Sequence, residues 1–265
     1  MGRNRRCGCL GAREVSAILY PALAILGILL TSVLWGRLTA RSDFNSDRRL
    51  PAIYISGLIG AFLGAKIVYM AAEGWMLLPE YAKDPKQVWQ AWITGKTITG
   101  GLLGGYLGVE IGKKMLGYQR ATGDLFAVLV PIGLSFGRVG CWVRGCCLGV
   151  EEDPAWWTIA DAHGTPRWPS VQVELAFNVL FFVFALICWR RRAFEGQIFH
   201  VYLIAYGLFR FGHEFLRDTP TIVGTISGYQ IAALGVLALG TVRYWQRSQS
   251  QLRAGDAAIL TSRTT

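Results

Sequence analysis

Charged residues are scarce in this sequence. Asp, Glu, Lys and Arg make up 17% of the 265 residues, against about 25% in soluble domains. Hydrophobic residues make up 52% and aromatic residues 12%, so the composition excludes a disordered chain and an ordinary soluble domain. The 32 glycines follow no G-X-Y period, which excludes a collagen-like fibre. We therefore expect a protein of the lipid bilayer.

Histidine is nearly absent, with three in the chain, and the six cysteines show no zinc-finger spacing. We therefore expect neither a metal ion nor another cofactor, and at this length we expect no disulfide scaffold. Acidic residues are also few, 17 against 27 Lys and Arg, which gives a net charge of +10. Because no basic stripe alternates with exposed aromatics, we exclude nucleic acid as a partner and assign the positive charge to loops beside anionic lipid.

Long apolar runs dominate the chain. A membrane-spanning helix needs about 20 mostly apolar residues, and seven segments approach that length. We therefore predict an all-α, polytopic membrane protein with about seven transmembrane helices. The predicted spans are Val15–Gly36, Leu50–Ala72, Thr97–Leu116, Thr122–Trp142, Val171–Trp189, Gly196–Leu216 and Thr219–Val242. They form a single transmembrane domain over residues 1–247, followed by a polar tail, 248–265, that we expect to be disordered.

Two of the connections between spans are longer than the others. The first, at about 73–96, is rich in Trp and Tyr, and we predict an arm at the membrane interface. The second, at about 146–169, is polar with three Trp residues, and we predict a small outer cap. Lys and Arg are more frequent in the loops on the side of the C-terminus, which places the C-terminus inside and the N-terminus outside. The N-terminal arginines favour the opposite orientation: Arg3, Arg5, Arg6 and Arg13.

Several ionisable residues stand inside the predicted spans. Insertion scales give a charge at the bilayer centre a cost of about 2.5–3.5 kcal/mol, so such residues indicate function unless an internal ion pair explains them. The ion pair is the stronger alternative for Lys66, Glu110 and Glu174. The full set is Lys66, Glu110, Arg138, Glu174, Arg210 and Glu214.

The sharpest pattern is YGLFRFGHEFLRD, which begins at Tyr206. Its polar side chains fall at offsets that share one face of a helix, and lipid tails cannot face them. We therefore expect a cavity that holds water or a lipid headgroup. Arg210 and Glu214 are four residues apart and can pair, and the forked donors of Arg210 suit a phosphate. The polar side chains are Tyr206, Arg210, His213, Glu214 and Arg217.

Two further segments are rich in glycine. In GLSFGRVGCWVRGCCLG, Arg138 lies between Gly137 and Gly140, and these small neighbours let a headgroup or another backbone approach. In ITGGLLGGYLG, Gly100 and Gly104 stand four residues apart, which favours close packing of two helices. This segment is not a nucleotide loop, because it lacks GxxxxGK[ST].

These three segments, in their order along the chain, resemble the prolipoprotein diacylglyceryl transferase family, integral membrane enzymes of bacterial lipoprotein biogenesis. The family pattern G-R-[IVL]-G-[NC]-F-x-x-G is similar to Gly137–Gly145. The pattern H-G-G-L-[IL]-G is similar to Thr99–Gly104, and Y-x-x-x-R-F-x-x-E-x-x-R is similar to Tyr206–Arg217. The resemblance covers residues 50–240, approximately.

The resemblance implies a reaction. The diacylglyceryl group of phosphatidylglycerol would move to the lipobox cysteine thiol of a preprolipoprotein, forming a thioether and releasing glycerol phosphate. The partners would be phosphatidylglycerol, the signal peptide with its lipobox, and the bilayer of the bacterial inner membrane. Arg138 and Arg210 would stabilise the phosphate leaving group while a thiolate attacks. The implied catalytic residues are Arg138, Arg210, Glu214, Tyr206 and His213. The implied substrate-binding residues are Arg138, Arg210, Thr99, Gly100, Gly101, Gly104, Gly137, Gly140, Cys141, Gly145 and Arg217.

The sequence departs from the family pattern at several polar positions. The family histidine is Thr99 here, and the H-P-[ST]-Q-x-Y-E stretch, at Trp168–Glu174, lacks its His and its Tyr. Two explanations follow. Either His213 or Glu214 replaces the missing base, or the chain is a catalytically altered or inactive paralogue that binds anionic lipid or lipoprotein. A transporter or channel is disfavoured, because no inverted repeat is present.

Three cysteines follow Arg138 closely. Cys141 stands where the family has Asn or Cys, and the pair Cys146 and Cys147 occurs in part of the family. Three interpretations stay open: a disulfide such as Cys141–Cys146 in an oxidising outer compartment, a covalent relay, and thiols without a role.

Overall fold

The structure is a computed structural model that describes the backbone of residues 7–40, 47–81 and 83–263. Side chains are described for residues 19–40, 47–81 and 83–253. Residues 1–6, 41–46, 82 and 264–265 lie outside the described part. The side chains of the N-terminal arginines that favour the opposite orientation also lie outside it.

The described chain is mostly helical, as predicted, with a few short strands added. The α-helices are α1 (Cys7–Ala40), α2 (Leu50–Ala72), α3 (Pro85–Thr94), α4 (Ile98–Met115), α5 (Gly123–Arg144), α6 (Ser170–Arg190), α7 (Ile198–His213) and α8 (Gly228–Arg263). Short 3-10 helices cover Gly74–Glu80 and Glu214–Leu216. Two antiparallel hairpins pair β1 (Ile159–Ala160) with β2 (Pro166–Arg167), and β3 (Thr221–Val223) with β4 (Ile226–Ser227).

Four helical segments of the described chain are long and apolar enough to cross a membrane. They are Leu19–Ala40, Leu50–Ala72, Gly123–Arg144 and Ser170–Arg190. Their outward faces are apolar, with side chains such as Leu29, Phe62 and Leu180 more than half exposed, as lipid contact requires. The other predicted spans coincide with helices that are shorter or more polar, since α4 holds three charged residues and α7 has only 16 residues. The structure therefore supports a membrane protein, and the number of seven crossings stays a prediction.

The last predicted span begins too early. The helix α8 starts at Gly228, and the residues before it form the β3–β4 hairpin. The turn of this hairpin contains Gly224 at φ +56°, a backbone conformation that glycine adopts without strain. The apolar residues before Gly228 therefore belong to strands. At its other end α8 reaches Arg263, within the segment 248–265, whose disorder stays a prediction.

The chain divides into two compact units. The first unit comprises Met1–Asp47, Leu125–Arg191 and Phe215–Thr219, and it contains α1, α5, α6 and the β1–β2 hairpin. A short strand-like contact fixes its last segment, because the Val150 amide donates to the Leu216 carbonyl at 3.1 Å and the Asp218 amide donates to Leu148 at 3.3 Å. The residues around Arg217 are therefore held beside the start of the segment that follows α5.

The second unit comprises Arg48–Asp124, Arg192–Glu214 and Pro220–Thr265. Within it, α2 and α4 touch along their glycines. A Cβ atom added at Gly60 would lie 2.3 Å from the Gly104 carbonyl oxygen, and one at Gly64 would lie 2.4 Å from that of Gly100. These distances leave no room for a side chain, so the four-residue glycine spacing does pack two backbones together.

The predicted interfacial arm contains the 3-10 helix Gly74–Glu80 and α3. The Lys66 ammonium donates to the carbonyl oxygens of Trp92 at 2.9 Å and Gly95 at 2.7 Å, and also to that of Ile93. A cation at the C-terminal end of a helix is favourable, because the last carbonyls lack helical partners. Lys66 therefore caps α3 and has a structural role. The partners of its ammonium group are backbone carbonyl oxygens rather than the carboxylate of the predicted ion pair.

Candidate functional site

Arg138 on α5 belongs to a buried charge cluster in the first unit. Its Nη2 donates to Oε1 of Glu174 on α6 at 2.8 Å, and the Glu174 side chain is fully buried. Nη1 of Arg217 lies 3.8 Å from the other carboxylate oxygen of Glu174 and 3.5 Å from Oγ of Ser170. We call Arg138, Glu174, Arg217 and Ser170 the Arg138 cluster.

The Arg138 cluster contains two cations and one anion among its four members. Two guanidinium groups share one carboxylate, and both arginine side chains are at most 7% exposed. Buried guanidinium groups are costly unless they are paired and hydrogen-bonded, so a ligand that adds anionic acceptors is favourable there. Guanidinium donors match phosphate oxygens in geometry and charge. The cluster can therefore hold a phosphate.

The glycines beside Arg138 differ in what surrounds them. A Cβ atom added at Gly137 would meet no described atom within 4 Å, whereas one at Gly140 would lie 3.0 Å from the Tyr20 ring. Gly145 has φ +66° and follows the last residue of α5. Gly137 therefore leaves space next to the buried arginine, while Gly140 permits packing against α1. Their part in substrate binding stays a prediction.

Three cysteines form a second group beside Arg138. The Sγ atoms of Cys141, Cys146 and Cys147 all lie within 4.8 Å of one another, and Nη1 of Arg138 is 3.9 Å from Sγ of Cys141. All three are free thiols in the structure. Hydrogen bonds with the Cys141 and Cys146 thiols lower the pKa of the Cys147 thiol, and the positive charges of Arg138 and Arg217 lower it further, against the opposing effect of burial.

Arg210 belongs to a separate buried pair in the second unit. Its Nη2 lies 2.6 Å from Oε2 of Glu214, with the two side chains 6% and 1% exposed. The predicted pair four residues apart is therefore present. Oγ of Ser227 donates to the other oxygen of Glu214 at 3.4 Å. The second terminal nitrogen of Arg210, Nη1, is buried and meets no hydrogen-bond acceptor among the described residues, so it can donate to a ligand.

The remaining residues of the Tyr206–Arg217 segment have other surroundings. Tyr206 is completely buried, with its ring against Tyr202 at 5.8 Å between centroids. His213 is buried and stacks on Phe209 at 4.9 Å. The helix α7 ends at His213, so the predicted common helical face does not extend to Arg217, which the strand-like contact places instead. The catalytic roles of Tyr206 and His213 stay predictions.

The segment at the start of α4 is also buried. Thr99, which stands at the position of the family histidine, has its hydroxyl 2.6 Å from that of Thr97. Gly100 and Gly104 face α2, and a Cβ atom on Gly101 would have the Ala61 carbonyl oxygen as its nearest neighbour, at 3.7 Å. Packing therefore accounts for Gly100 and Gly104, and substrate binding by this segment stays a prediction.

Two of the acids inside the predicted spans have clear partners. Glu110 pairs with Arg243 at 3.0 Å, so the ion-pair alternative holds for it. Glu174 has a larger part, because it organises the Arg138 cluster, yet it is absent from the predicted site residues. Its signals in the sequence were an acid inside an apolar span and the last position of the Trp168–Glu174 stretch.

The comparisons with known proteins agree with the motifs. A model of the family described as prolipoprotein diacylglyceryl transferase matches residues 11–246. The chain is 28% identical over 232 residues to phosphatidylglycerol–prolipoprotein diacylglyceryl transferase 2 of Clostridium perfringens, covering 85% of this chain and 89% of the relative. It is 31% identical over 215 residues to the phosphatidylglycerol–prolipoprotein diacylglyceryl transferase of Geobacter sulfurreducens, covering 79% and 81%. The same enzyme of Aeromonas salmonicida is 29% identical over 208 residues, covering 76% and 74%. The resemblance in the motifs is thus confirmed, and this chain belongs to the prolipoprotein diacylglyceryl transferase family.

Proposed function

We propose that this chain transfers the diacylglyceryl group of phosphatidylglycerol to the lipobox cysteine thiol of a preprolipoprotein. The products are a thioether-linked lipoprotein precursor and glycerol phosphate. The observation that carries the proposal is the pair of buried guanidinium groups, Arg138 and Arg217, on Glu174 in a chain of this family. The alternative, an inactive lipid-binding paralogue, is not favoured, because the three relatives described above are named as transferases.

The chemistry requires a stabilised leaving group. As the bond between the glyceryl carbon and the phosphate oxygen breaks, negative charge grows on the phosphate. Arg138 and Arg210 are each buried, and Nη1 of Arg210 can donate to an additional oxygen. Fixed donors in a water-poor site stabilise such charge without rearranging, and in many enzymes this stabilisation contributes most of the rate acceleration. Both arginines are therefore assigned to the phosphate.

The chemistry also requires a thiolate. The lipobox thiol loses its proton, the sulfur electron pair forms the bond to the glyceryl carbon, and the carbon–oxygen bond breaks toward glycerol phosphate. His213 and Glu214 are assigned as candidate proton acceptors, and Tyr206, Arg217 and Thr99 as residues that position the substrates. The glycines assigned to the substrates are Gly100, Gly101, Gly104, Gly137, Gly140 and Gly145.

The substrates define the cellular setting. Phosphatidylglycerol reaches the site from the bilayer, and the signal peptide with its lipobox enters beside it. We assign the chain to the bacterial inner membrane, with the N-terminus outside and the C-terminus inside, in agreement with the Lys and Arg excess of the loops on the C-terminal side. No cofactor is needed for this scheme.

Complementation tests the proposal. Cells depleted of their own transferase would express this chain, and the mass of a reporter lipoprotein would be measured. We expect a mass gain of one diacylglyceryl group, lost in the double variant Arg138→Ala, Arg210→Ala. Arg144→Ala is the matched control, because Arg144 is exposed at the end of the same helix as Arg138. An unmodified lipoprotein in cells that contain the inserted wild-type chain would refute the proposal.

A further inference from the structure

The scheme above gives no role to Cys146 and Cys147, which lie beside Cys141, a residue that the resemblance implies in substrate binding. The three sulfurs come from one residue in the last turn of α5 and from two residues just after the helix. Two left-handed backbone positions, Gly145 at φ +66° and Cys147 at φ +62°, reverse the chain there, and the Cys146 amide donates to the Cys141 carbonyl at 3.1 Å. A positive φ at a residue other than glycine is uncommon and clusters at functional sites.

The distances are compatible with a bound metal ion. The three Sγ atoms lie within 4.8 Å of one another, and a zinc–sulfur bond of about 2.3 Å implies sulfur–sulfur distances of about 3.8 Å in a tetrahedral site. Side-chain rotations that shift the Sγ atoms by about 1 Å or less would close the difference. Three thiolates select thiophilic cations such as Zn²⁺ over hard ions. The spacing C-x4-C-C matches no common zinc motif, which is why the sequence alone predicted no metal.

The number of ligands distinguishes a structural from a catalytic metal site. Within the described residues, the group contains three candidate ligands and no fourth His, Cys, Asp or Glu. Structural zinc sites have four protein ligands, whereas catalytic sites have three and keep the fourth position for water or substrate. Cys146 and Cys147 are partly exposed, so an external ligand can reach them.

A guanidinium group lies beside the three cysteines. A divalent cation with three thiolates has a net charge of −1. The guanidinium of Arg138, which also donates to Glu174, lies 3.9 Å from Sγ of Cys141 and would donate a hydrogen bond to a thiolate there. Neighbouring groups of this kind orient ligands and tune the metal. The same arginine is assigned to the phosphate, so a ligand in the fourth position would lie close to the leaving group.

We propose that Cys141, Cys146 and Cys147 form a three-thiolate site for a thiophilic divalent cation such as Zn²⁺, whose fourth position accepts the lipobox thiol of the substrate. The second half of this proposal rests on the proposed function. A thiol that coordinates such a cation gives up its proton to solvent. The bound thiolate then forms the carbon–sulfur bond, the carbon–oxygen bond breaks toward glycerol phosphate, and the thioether, a weaker ligand, leaves the cation. The site would supply the thiolate in a chain that lacks the family histidine at Thr99.

A Cd²⁺ titration tests the site without relying on turnover. The reduced, purified chain in detergent would be titrated with Cd²⁺, and the thiolate-to-metal absorption band measured. We expect one equivalent to bind, with a band intensity typical of three thiolates. Cys141→Ser, Cys146→Ser and Cys147→Ser should each weaken binding at least tenfold. Cys188→Ser, which changes a buried cysteine on α6 outside the group, should leave the titration unchanged.

The outcomes separate the site from the reaction. Three results would overturn the metal site. They are a wild-type chain without the absorption band, a band unchanged in the three serine variants, and a disulfide among the three cysteines in the chain as isolated.

For the fourth position, a lipobox peptide with Cys should raise the band by about one third, the share of a fourth thiolate added to three. The same peptide with Ser should not. An unchanged band with both peptides would overturn substrate coordination. Cd²⁺ binding without any lipid transfer would count against the proposed function and leave the site intact.

Discussion

At the scale of single residues, the two buried arginines obtain their carboxylate partners in different ways. Arg210 pairs with Glu214 four residues later on the chain, and helical geometry alone predicts that pair. Arg138 pairs with Glu174 on another helix, and no local rule predicts a contact between residues so far apart in sequence. Both arginines are therefore recognisable from the sequence as buried cations, but only one of their partners is.

Glu174 should be essential to the Arg138 cluster. Replacing one partner of a buried ion pair leaves the other charge uncompensated, which costs about 3–5 kcal/mol. We expect Glu174→Ala to lower the thermal unfolding temperature in detergent, with Glu174→Gln intermediate because it retains an acceptor for Arg138. Glu151→Gln serves as the control, since Glu151 is two-thirds exposed in its pair with Arg167. Equal unfolding temperatures for Glu174→Ala and wild type would contradict this interpretation.

The segment 146–169, the predicted outer cap, should loosen at low pH. The hydrogen bond from Arg167, together with the His163 amide, lowers the pKa of Asp161 to about 2, from an ordinary value of about 3.9. The folded pKa is below the unfolded one, so the stabilisation is complete above pH 4, approximately, and is lost as the pH falls through 2. Hydrogen exchange of cap peptides, corrected for intrinsic rates, should rise over that interval.

Asp161→Asn should abolish this pH dependence, because the amide does not titrate. Asp153→Asn, at an exposed position of the same cap, should preserve it. Exchange rates in the wild-type cap that do not change between pH 5 and 2 would show that the Asp161–Arg167 pair does not hold the cap.

At the scale of secondary structure, the long apolar segments were predictable and the short irregular ones were not. The second predicted span has the same bounds as α2, Leu50–Ala72, because a long run of apolar residues with a proline in its first turn specifies a helix by itself. The β3–β4 hairpin lies where hydropathy predicts part of a helix, because its apolar side chains have the same hydropathy as those of a membrane-spanning helix. Hydropathy depends only on how many residues are apolar. The pairing of Thr221 with Ser227 is what gives these residues a strand conformation instead of a helical one.

The glycine contact between α2 and α4 should not tolerate a methyl group. A Cβ atom at Gly104 would lie 2.2 Å from the Gly60 carbonyl oxygen, so the helices must separate. Overpacking of this kind costs about 1–3 kcal/mol. We expect Gly104→Ala to reduce the fraction of chain that elutes as a single species after heating in detergent. Gly101→Ala is the matched control, because its Cβ would be 3.7 Å from the nearest atom, and similar losses in both variants would contradict the packing argument.

At the scale of the whole molecule, family membership and bilayer residence were predictable because they depend on composition and on three motifs. The roles of individual side chains depend on tertiary contacts. The Arg138 cluster, for example, requires α5, α6 and the segment after α7 to meet. The closeness of Cys141, Cys146 and Cys147 likewise depends on a backbone reversal that propensities do not reveal.

Seven crossings would put the two termini on opposite sides of the membrane. We expect a fluorescent protein fused to the C-terminus to be fluorescent, as in the cytoplasm, and alkaline phosphatase fused there to be inactive. Phosphatase fused after residue 84, within the predicted outer arm, should be active. An active phosphatase at the C-terminus would contradict the assigned orientation, and matching results at both positions would contradict the number of crossings between them.

The most direct test of the central claim is lipid transfer by the purified chain. The chain in phosphatidylglycerol vesicles would be mixed with a lipobox peptide, and peptide mass and released glycerol phosphate would be measured. We predict one glycerol phosphate for each diacylglyceryl group added, no product with phosphatidylcholine or with a Ser peptide, and loss of product in the Arg138→Ala, Arg210→Ala double variant but not in Arg144→Ala. A wild-type chain that binds phosphatidylglycerol without forming the thioether, or a double variant as active as wild type, would contradict the account.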